Sequence, residues 1–413
     1  MLIIRLYKGL LTLLFPFLLL NLAIRKVKRK EIALSILNKL GIYPQQPVAS
    51  AIWFHAASVG ELKSLQPLLQ HYSVQGEQVL ITTGTISSYN VFLKMGLTGV
   101  THCFLPLDIP FIIRRFLRYW RPKLAIFTES ELWPSLLTEI ACPKVLLNAR
   151  ISPKSTKKWK RFPSTIAYLL SRFDLILAGT KYDKARCEEL GAAEVEYVGN
   201  LKYAAQKLYY NAHELNKAAD SLGGRRILVF ASTHRGEDKI FLQTAKEVEK
   251  EYQNLQTIIV PRHPERVGEI ESICQNLGLS YTVRSRHKDD WTQAVYIANT
   301  IGELGLMYQL ADVVIIGGSF EAKGGQNMLE PVKFGKPVIV GPHYENFQEL
   351  MEELINDKAI VLVKDVNDLQ NKITELLQDN LLREELQENA IAVVDRLENN
   401  VIDQIIEKLS NYL

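Results

Sequence analysis

This sequence predicts an α/β protein built of two doubly wound domains, and three observations carry that expectation. Short apolar runs alternate with longer segments of helical period over almost the whole chain. The apolar runs are rich in Val, Ile and Leu with little polar alternation, as in parallel strands covered by helices on both faces. At 413 residues and 47% hydrophobic content, the chain can bury two ordinary cores.

The first element is unusual. Residues 1–30 hold seven Lys or Arg and no acid, and within them Gly9 to Ile24 is uncharged, interrupted by Pro16 and Asn21. A spanning helix wants about 20 apolar residues, so the run is short for a crossing. The basic block Arg25-Lys26-Val27-Lys28-Arg29-Lys30 follows directly, where a cleaved signal peptide would end in small residues. A basic flank beside an apolar segment suits the cytoplasmic face of a membrane with anionic headgroups. The expectation is a single N-terminal apolar anchor helix, favoured over the alternative of a buried N-terminal helix. The other 42 basic and 45 acidic residues leave the body slightly acidic, which excludes a nucleic-acid-binding charge pattern. Four scattered cysteines without a CxxC pair indicate a reducing compartment and no zinc or disulfide framework.

Beyond the anchor, the expected strands of the first half are Val48–Ala56, Val79–Thr82, Leu124–Thr128, Lys144–Leu147, Leu175–Ala178 and Val195–Val198. Those of the second half are Ile227–Ala231, Thr257–Val260, Val313–Ile316, Val338–Val340 and Ile360–Val363. Between them, Tyr203 to Arg226 is polar, ends in Ser221-Leu222-Gly223-Gly224 and reads as a linker. The expected organisation is an anchor over 1–30, a first domain over 31–205, a second over 206–385, and a C-terminal helix over 386–413 returning to the first domain. A cleft between the domains is expected.

The stretch Trp53-Phe54-His55-Ala56-Ala57-Ser58-Val59-Gly60-Glu61 is the most informative in the chain. A buried strand ends in a tight turn that opens a helix, which puts Glu61 at a strand-to-helix crossover, where α/β enzymes place their chemistry. An acid in a first helical turn also complements the helix dipole, so the position alone is ambiguous. A second acidic pair, Glu129 and Glu131, follows another apolar strand. Residues two apart on a strand face opposite ways, so one of the pair, with Glu129 favoured, is expected in the site.

Phosphate-handling signals lie in the second half. Ser232-Thr233-His234-Arg235-Gly236-Glu237-Asp238 follows a strand and opens a helix, a place suited to an anion. Val260-Pro261-Arg262-His263-Pro264-Glu265-Arg266 ends the next strand with cations, and Gly317-Gly318-Ser319 and Gly324-Gly325-Gln326-Asn327 are glycine turns. Each alone is weak; four at the ends of successive strands indicate a nucleotide site. There is no GxxxxGK[ST], no full GxGxxG, no HExxH and no Asp-x-Asp, so neither a P-loop, a dinucleotide fold nor a catalytic metal is expected. Gly317-Gly318-Ser319-Phe320-Glu321 comes near the hydrolase elbow but lacks its last glycine.

Taken together, these motifs resemble the 3-deoxy-D-manno-octulosonic acid (Kdo) transferase family almost end to end. The likeness runs through the apolar-then-basic N-terminus, His55 to Glu61, and Glu129-Ser130-Glu131-Leu132-Trp133-Pro134. It continues through Asn148-Ala149-Arg150-Ile151-Ser152, Gly199-Asn200-Leu201-Lys202, Ser232 to Asp238 and Pro261-Arg262-His263-Pro264. It closes with Gly324 to Asn327 and Gly341-Pro342-His343-Tyr344-Glu345-Asn346-Phe347. Ser130 stands where the family usually has Thr, and Lys154 where Arg is common; neither touches a carboxylate.

The resemblance implies a GT-B fold that uses CMP-Kdo as donor, the lipid A precursor as acceptor, and no cofactor or metal, at the cytoplasmic face of the inner membrane. It implies Glu61 as general base, with Glu129 and Glu131 beside it. Donor contacts would come from Lys202, Ser232, Thr233, His234, Arg262, His263, Gly317, Gly318, Gly325, Asn327 and Glu330. Acceptor contacts would come from Ser58, Gly60, Arg150 and Arg161. The basic cluster Lys154, Lys157, Lys158, Lys160 and Arg161 would meet acceptor phosphates or anionic lipid. The rival readings are another nucleotide-sugar transferase of the same fold and a non-catalytic membrane-associated relative.

Overall fold

The computed structural model describes residues 2–44, 46–47, 50–204 and 207–413. Two compact units emerge, one of residues 1–206 with 397–413 and one of residues 207–396.

The first unit is built on β1 (Ile52–Ala56), β2 (Val79–Thr83), β3 (Val100–Phe104), β4 (Leu124–Thr128), β5 (Lys144–Ala149), β6 (Leu175–Ala178) and β7 (Val195–Tyr197). They form one parallel sheet in the order β3-β2-β1-β4-β5-β6-β7. Every residue of β1, β2, β4, β5 and β6 is buried, which is why these strands read as mostly apolar runs with polar residues chiefly at their ends. Trp53 anchors the core with ring centroids 4.6 Å from Phe116 and 5.2 Å from Phe127, and its indole N–H donates to Thr82.

The second unit holds β8 (Arg226–Thr233), β9 (Leu255–Pro261), β10 (Tyr281–Val283), β11 (Val295–Ile297), β12 (Val313–Ile316), β13 (Val338–Val340) and β14 (Val361–Leu362). Their parallel sheet runs β10-β11-β9-β8-β12-β13-β14. Phe230 stacks on Phe241 at 4.7 Å, and Phe320 packs edge-on against Phe241 at 5.2 Å. That contact ties the turn after β12 to the core.

The winding direction reverses between β1 and β4 in the first sheet and between β8 and β12 in the second. In open α/β sheets ligands bind at the strand C-termini beside such a point. His55, Glu61, Thr128, Glu129 and Glu131 gather at the first; Ser232, Glu237, Gly317 and Gly318 gather at the second.

Several expectations are corrected. The strand expected over Val48–Ala56 begins at Ile52 in the structure, and residues 48 and 49 lie outside the described residues. β3, β10 and β11 were not expected. β3 carries Thr101 and His102 mid-strand, and the two others are three-residue pieces separated by the charged run Arg284–Asp290. The expected linker over 203–226, in which 205 and 206 lie outside the described residues, contains a helix, Ala212–Leu222, capped by Asn211 and ended by left-handed Gly223.

The N-terminus is two helices, α1 (Leu2–Leu13) and α2 (Phe15–Val27), bent by 58° at a break where Pro16 lacks an N–H. Among the described residues no single helix is long and apolar enough to cross a membrane; only this bent pair passes, by length and composition. α1 is docked on its unit: Ile4 is buried, Lys8 Nζ lies 2.8 Å from Glu139, and Tyr7 bonds the carboxylate of Asp108. At the other end of the chain, the helix Asn380–Ser410 passes from the second unit into the first. There Lys408 pairs with Glu196 at 2.7 Å and Tyr412 donates to the Asp174 carbonyl at 3.2 Å.

Candidate active site

In the first unit Ser58 caps the helix Val59–Val74, its hydroxyl accepting from Glu61 N, and Glu61 occupies the third helical position. The Glu61 side chain is 8% exposed. One oxygen accepts from Ala57 N at 2.8 Å and from the Thr128 hydroxyl at 2.7 Å; the other accepts from the Ser58 hydroxyl at 2.7 Å. A carboxylate offers about four lone-pair sites, so Oε1 keeps one open. Two of the three donors are hydroxyls that can rotate. Thr128 also has the His55 carbonyl within reach at 2.8 Å, so its single proton has two acceptors. When Glu61 is ionised Thr128 donates to it; when Glu61 gains a proton Thr128 can turn to His55. The site accommodates Glu61 in both protonation states.

Gly60 sits one residue earlier, and a Cβ there would meet only the Ser58 hydroxyl at an ordinary 3.8 Å. Nothing within the chain requires glycine at this position, and the space above it is open.

The carboxylates expected to face opposite ways lie on a turn, because Glu129 leaves the strand in a left-handed conformation with φ 58°. Glu129 pairs with Lys202 Nζ at 2.8 Å. Lys202, expected at the donor, therefore stands beside the first unit's own acid. Glu131 accepts from His55 Nε2 at 3.2 Å and from the Trp133 indole N–H. Burial pushes its carboxyl up, but those bonds outweigh it and hold the group below its usual range. Asn148, also left-handed, bulges β5 and accepts from Leu201 N, so it supports the strand-end backbone. A pocket of about 530 Å³ is lined by both acids with Ser130, Arg150 and Ser152. Arg161, exposed after the helix Pro153–Trp159, is outside that lining.

In the second unit the expected anion cradle is filled from within. Glu237, fully buried in the first turn of the helix Glu237–Glu251, accepts from His234 N, Gly318 N, Phe320 N and Glu321 N at 2.8 to 3.4 Å. Gly317 N donates to Ala231 O at 2.8 Å. The two N–H groups expected to face a phosphate are therefore committed to the protein. Gly317 has a different role: a Cβ there would lie 2.4 Å from the carbonyl of Ser232, itself left-handed in a β8 bulge. Thr233 donates to Asp238 at 2.6 Å, and Asp238 is paired with Arg266, so neither Thr233 nor the helix start is vacant.

What remains outward is a polar set. Arg262 and His263 are exposed at the end of β9. His234 Nε2 lies 3.0 Å from Gln326 Nε2, and burial lowers the His234 pKa. Gly325 N and Gln326 N donate to Gly318 O and Gly317 O at 2.8 and 3.1 Å, joining the two glycine turns. Asn327 donates to Glu330 at 3.2 Å. Among the described residues no three His, Cys, Asp or Glu side chains are grouped to hold a metal ion.

The sequence missed His55, Thr128, Glu237, Asp238 and Arg266. Thr128 and Glu237 were findable as polar residues at the ends of the two strand-to-helix turns; the partner of each was not.

Two parallel seven-stranded sheets, each with a switch point, give the chain the GT-B fold. A glycosyltransferase from Rickettsia africae shares the fold at a TM-score of 0.63 and 13% identity, covering 90% of this chain and 99% of that one. The family model described as 3-deoxy-D-manno-octulosonic-acid transferase matches residues 35–205, and that of glycosyl transferases group 1 matches 239–393. The 3-deoxy-D-manno-octulosonic acid transferase of Rickettsia felis is 36% identical over 88% of this chain and 80% of its own length. That of Rickettsia bellii is 33% identical over 99% of each. The chain belongs to the 3-deoxy-D-manno-octulosonic acid transferase family.

Proposed function

We propose that the chain moves Kdo from CMP-Kdo to a hydroxyl of the lipid A precursor, with inversion, using Glu61 as general base. One observation carries this reading: Glu61 is a buried switch-point carboxylate with an open lone pair and rotatable donors. Such a group can take the acceptor proton as the sugar–phosphate bond breaks. Glu131 has a competing claim because it lines the pocket, but His55 and Trp133 both donate to its Oε2 and hold its carboxyl below the usual range, which weakens it as a base.

Ser58, Gly60 and Arg150 would meet the acceptor sugar, and Arg161 its phosphate. Arg262, His263 and His234 would neutralise the departing CMP. Asn327 and Glu330 would hold the donor's hydroxyls, with Ser232, Thr233, Gly317, Gly318 and Gly325 shaping the turns beneath it. Lys202 would reach the Kdo carboxylate only by leaving Glu129. A role in lipopolysaccharide synthesis would put the protein at the inner membrane, where α2 and the basic block would meet anionic lipid.

The test is incubation of purified protein with CMP-Kdo and tetra-acylated lipid A precursor, followed by mass analysis. Addition of one or more Kdo residues, undiminished in excess chelator, is expected. Release of CMP without any acceptor adduct would sink the reading. Flotation with anionic but not zwitterionic vesicles checks the membrane contact, and salt should weaken it.

A further inference from the structure

Leu132, Trp133 and Trp159 line the pocket of Glu129 and Glu131, and they also line a second, apolar groove of about 420 Å³. The groove's remaining walls include Ile3 on α1 and Phe162, just before the helix Pro163–Leu170. Its mouth stays open to solvent although it is apolar: Ile3 is 48% exposed and Phe162 52%. α1 is fixed there by Ile4, by Lys8 on Glu139 and by Tyr7 on Asp108, so this wall belongs to the unit's fold.

Charge complements the shape. From Arg150 to Phe173 the chain carries seven Lys or Arg and no acid. Lys154, Lys157 and Lys158 are exposed on the helix Pro153–Trp159, whose last residue lines both spaces. A ligand matching this surface has an anionic head over the polar pocket and a linear apolar tail in the groove.

We propose that the groove beside α1 binds one acyl chain of the lipid acceptor, which makes α1 a wall of the acceptor site as well as a membrane contact. The proposal rests on the reading that the acceptor is an acylated, phosphorylated sugar. Holding one chain there draws the head toward Arg150 and the carboxylates, so that chain length sets acceptor affinity and not the rate of the chemical step. Each methylene taken from water contributes about 0.8 kcal/mol, or about fourfold in affinity.

The test uses the full chain and acceptor analogues below their critical micelle concentration, from deacylated through progressively longer acyl chains. KM should fall about fourfold per methylene until the groove is filled, with kcat constant. Ile3→Asn and Phe162→Gln should each raise KM for the longer chains about tenfold and leave the deacylated acceptor unaffected; Phe162→Leu should retain the wild-type dependence. A chain brominated near its end should quench tryptophan fluorescence, and less so in Trp159→Phe; this readout needs no turnover. Transfer that proceeds with KM independent of chain length overturns the proposal. Loss of vesicle binding in the variants with the chain-length dependence intact also overturns it, since the groove then holds bulk lipid. If no analogue accepts Kdo but the brominated chain still quenches, the groove stands and the reaction assigned above falls. Absence of both overturns both.

Discussion

Glu61 and Glu237 occupy matching places in the two units and do opposite work. Each stands in the first turn of the helix after the central strand at a switch point, and each reaches the end of the neighbouring strand or the turn beyond it. Glu237 takes four backbone N–H donors, which fill its lone pairs and cannot turn away. It is fixed as an acceptor, and it holds the loop from Gly318 to Glu321 against the helix. Glu61 takes one backbone donor and two hydroxyls, and keeps a lone pair open. The comparison teaches that position alone does not decide how open a carboxylate is; the number and mobility of its donors do.

The largest expected effect is at Glu61. Glu61→Gln should lower kcat by about 10²–10⁴-fold, the usual contribution of a general base, with donor affinity unchanged. Isothermal titration with CMP and steady-state kinetics separate the two. Near-normal turnover would remove the base from the scheme and leave Glu61 as a helix cap like its counterpart.

Glu237→Gln should act on stability first. An amide presents a donor to N–H groups that need an acceptor, and unsatisfied buried groups cost about 1–3 kcal/mol each. The urea midpoint should drop and the donor KM should rise as the glycine turns loosen. A variant with wild-type stability and lost kcat would reverse the roles assigned to the two acids.

This contrast marks the limit of what the sequence discloses. The strands Leu124–Thr128, Leu175–Ala178, Val313–Ile316 and Val338–Val340 are legible to the residue, because full burial on both faces leaves uninterrupted apolar runs. β3 is not, since its polar residues are satisfied only by tertiary neighbours such as Thr83, which bonds His102. Glu61 is legible as an acid at a turn, but its openness depends on Thr128, 67 residues away in sequence. The glycine turns are legible as turns; that their N–H groups belong to Glu237 is a long-range fact over 81 residues.

A smaller effect is expected at Thr128. Thr128→Val keeps the shape and removes the rotor shared by Glu61 and His55. Without it the ionised form of Glu61 loses one of its three donors. The rate constant kcat should fall about tenfold, or about 1.4 kcal/mol, within the range of one hydrogen bond. KM for both substrates should hold. Thr128→Ser should recover most of the rate, which a purely packing role for Thr128 would not predict.

The smallest effect concerns Glu131, which takes two side-chain donors, His55 and Trp133, both on one oxygen. Its folded pKa lies below the unfolded range of about 4.3, so the folded state binds the proton more weakly. The stabilisation is therefore present in full above that range and lost as pH falls through the folded value. Glu131→Gln should cost at most about 1 kcal/mol near neutral pH, the range of a partly solvent-facing ion pair. The gap between variant and wild type, read from urea midpoints, should close as pH falls below the unfolded range and the wild-type carboxylate is protonated. A gap that stays constant over that interval would mean the carboxylate is not charged in the folded state. His55 would then hold Glu131 by a neutral hydrogen bond, and Glu131 would become the better candidate to give or take a proton in the pocket.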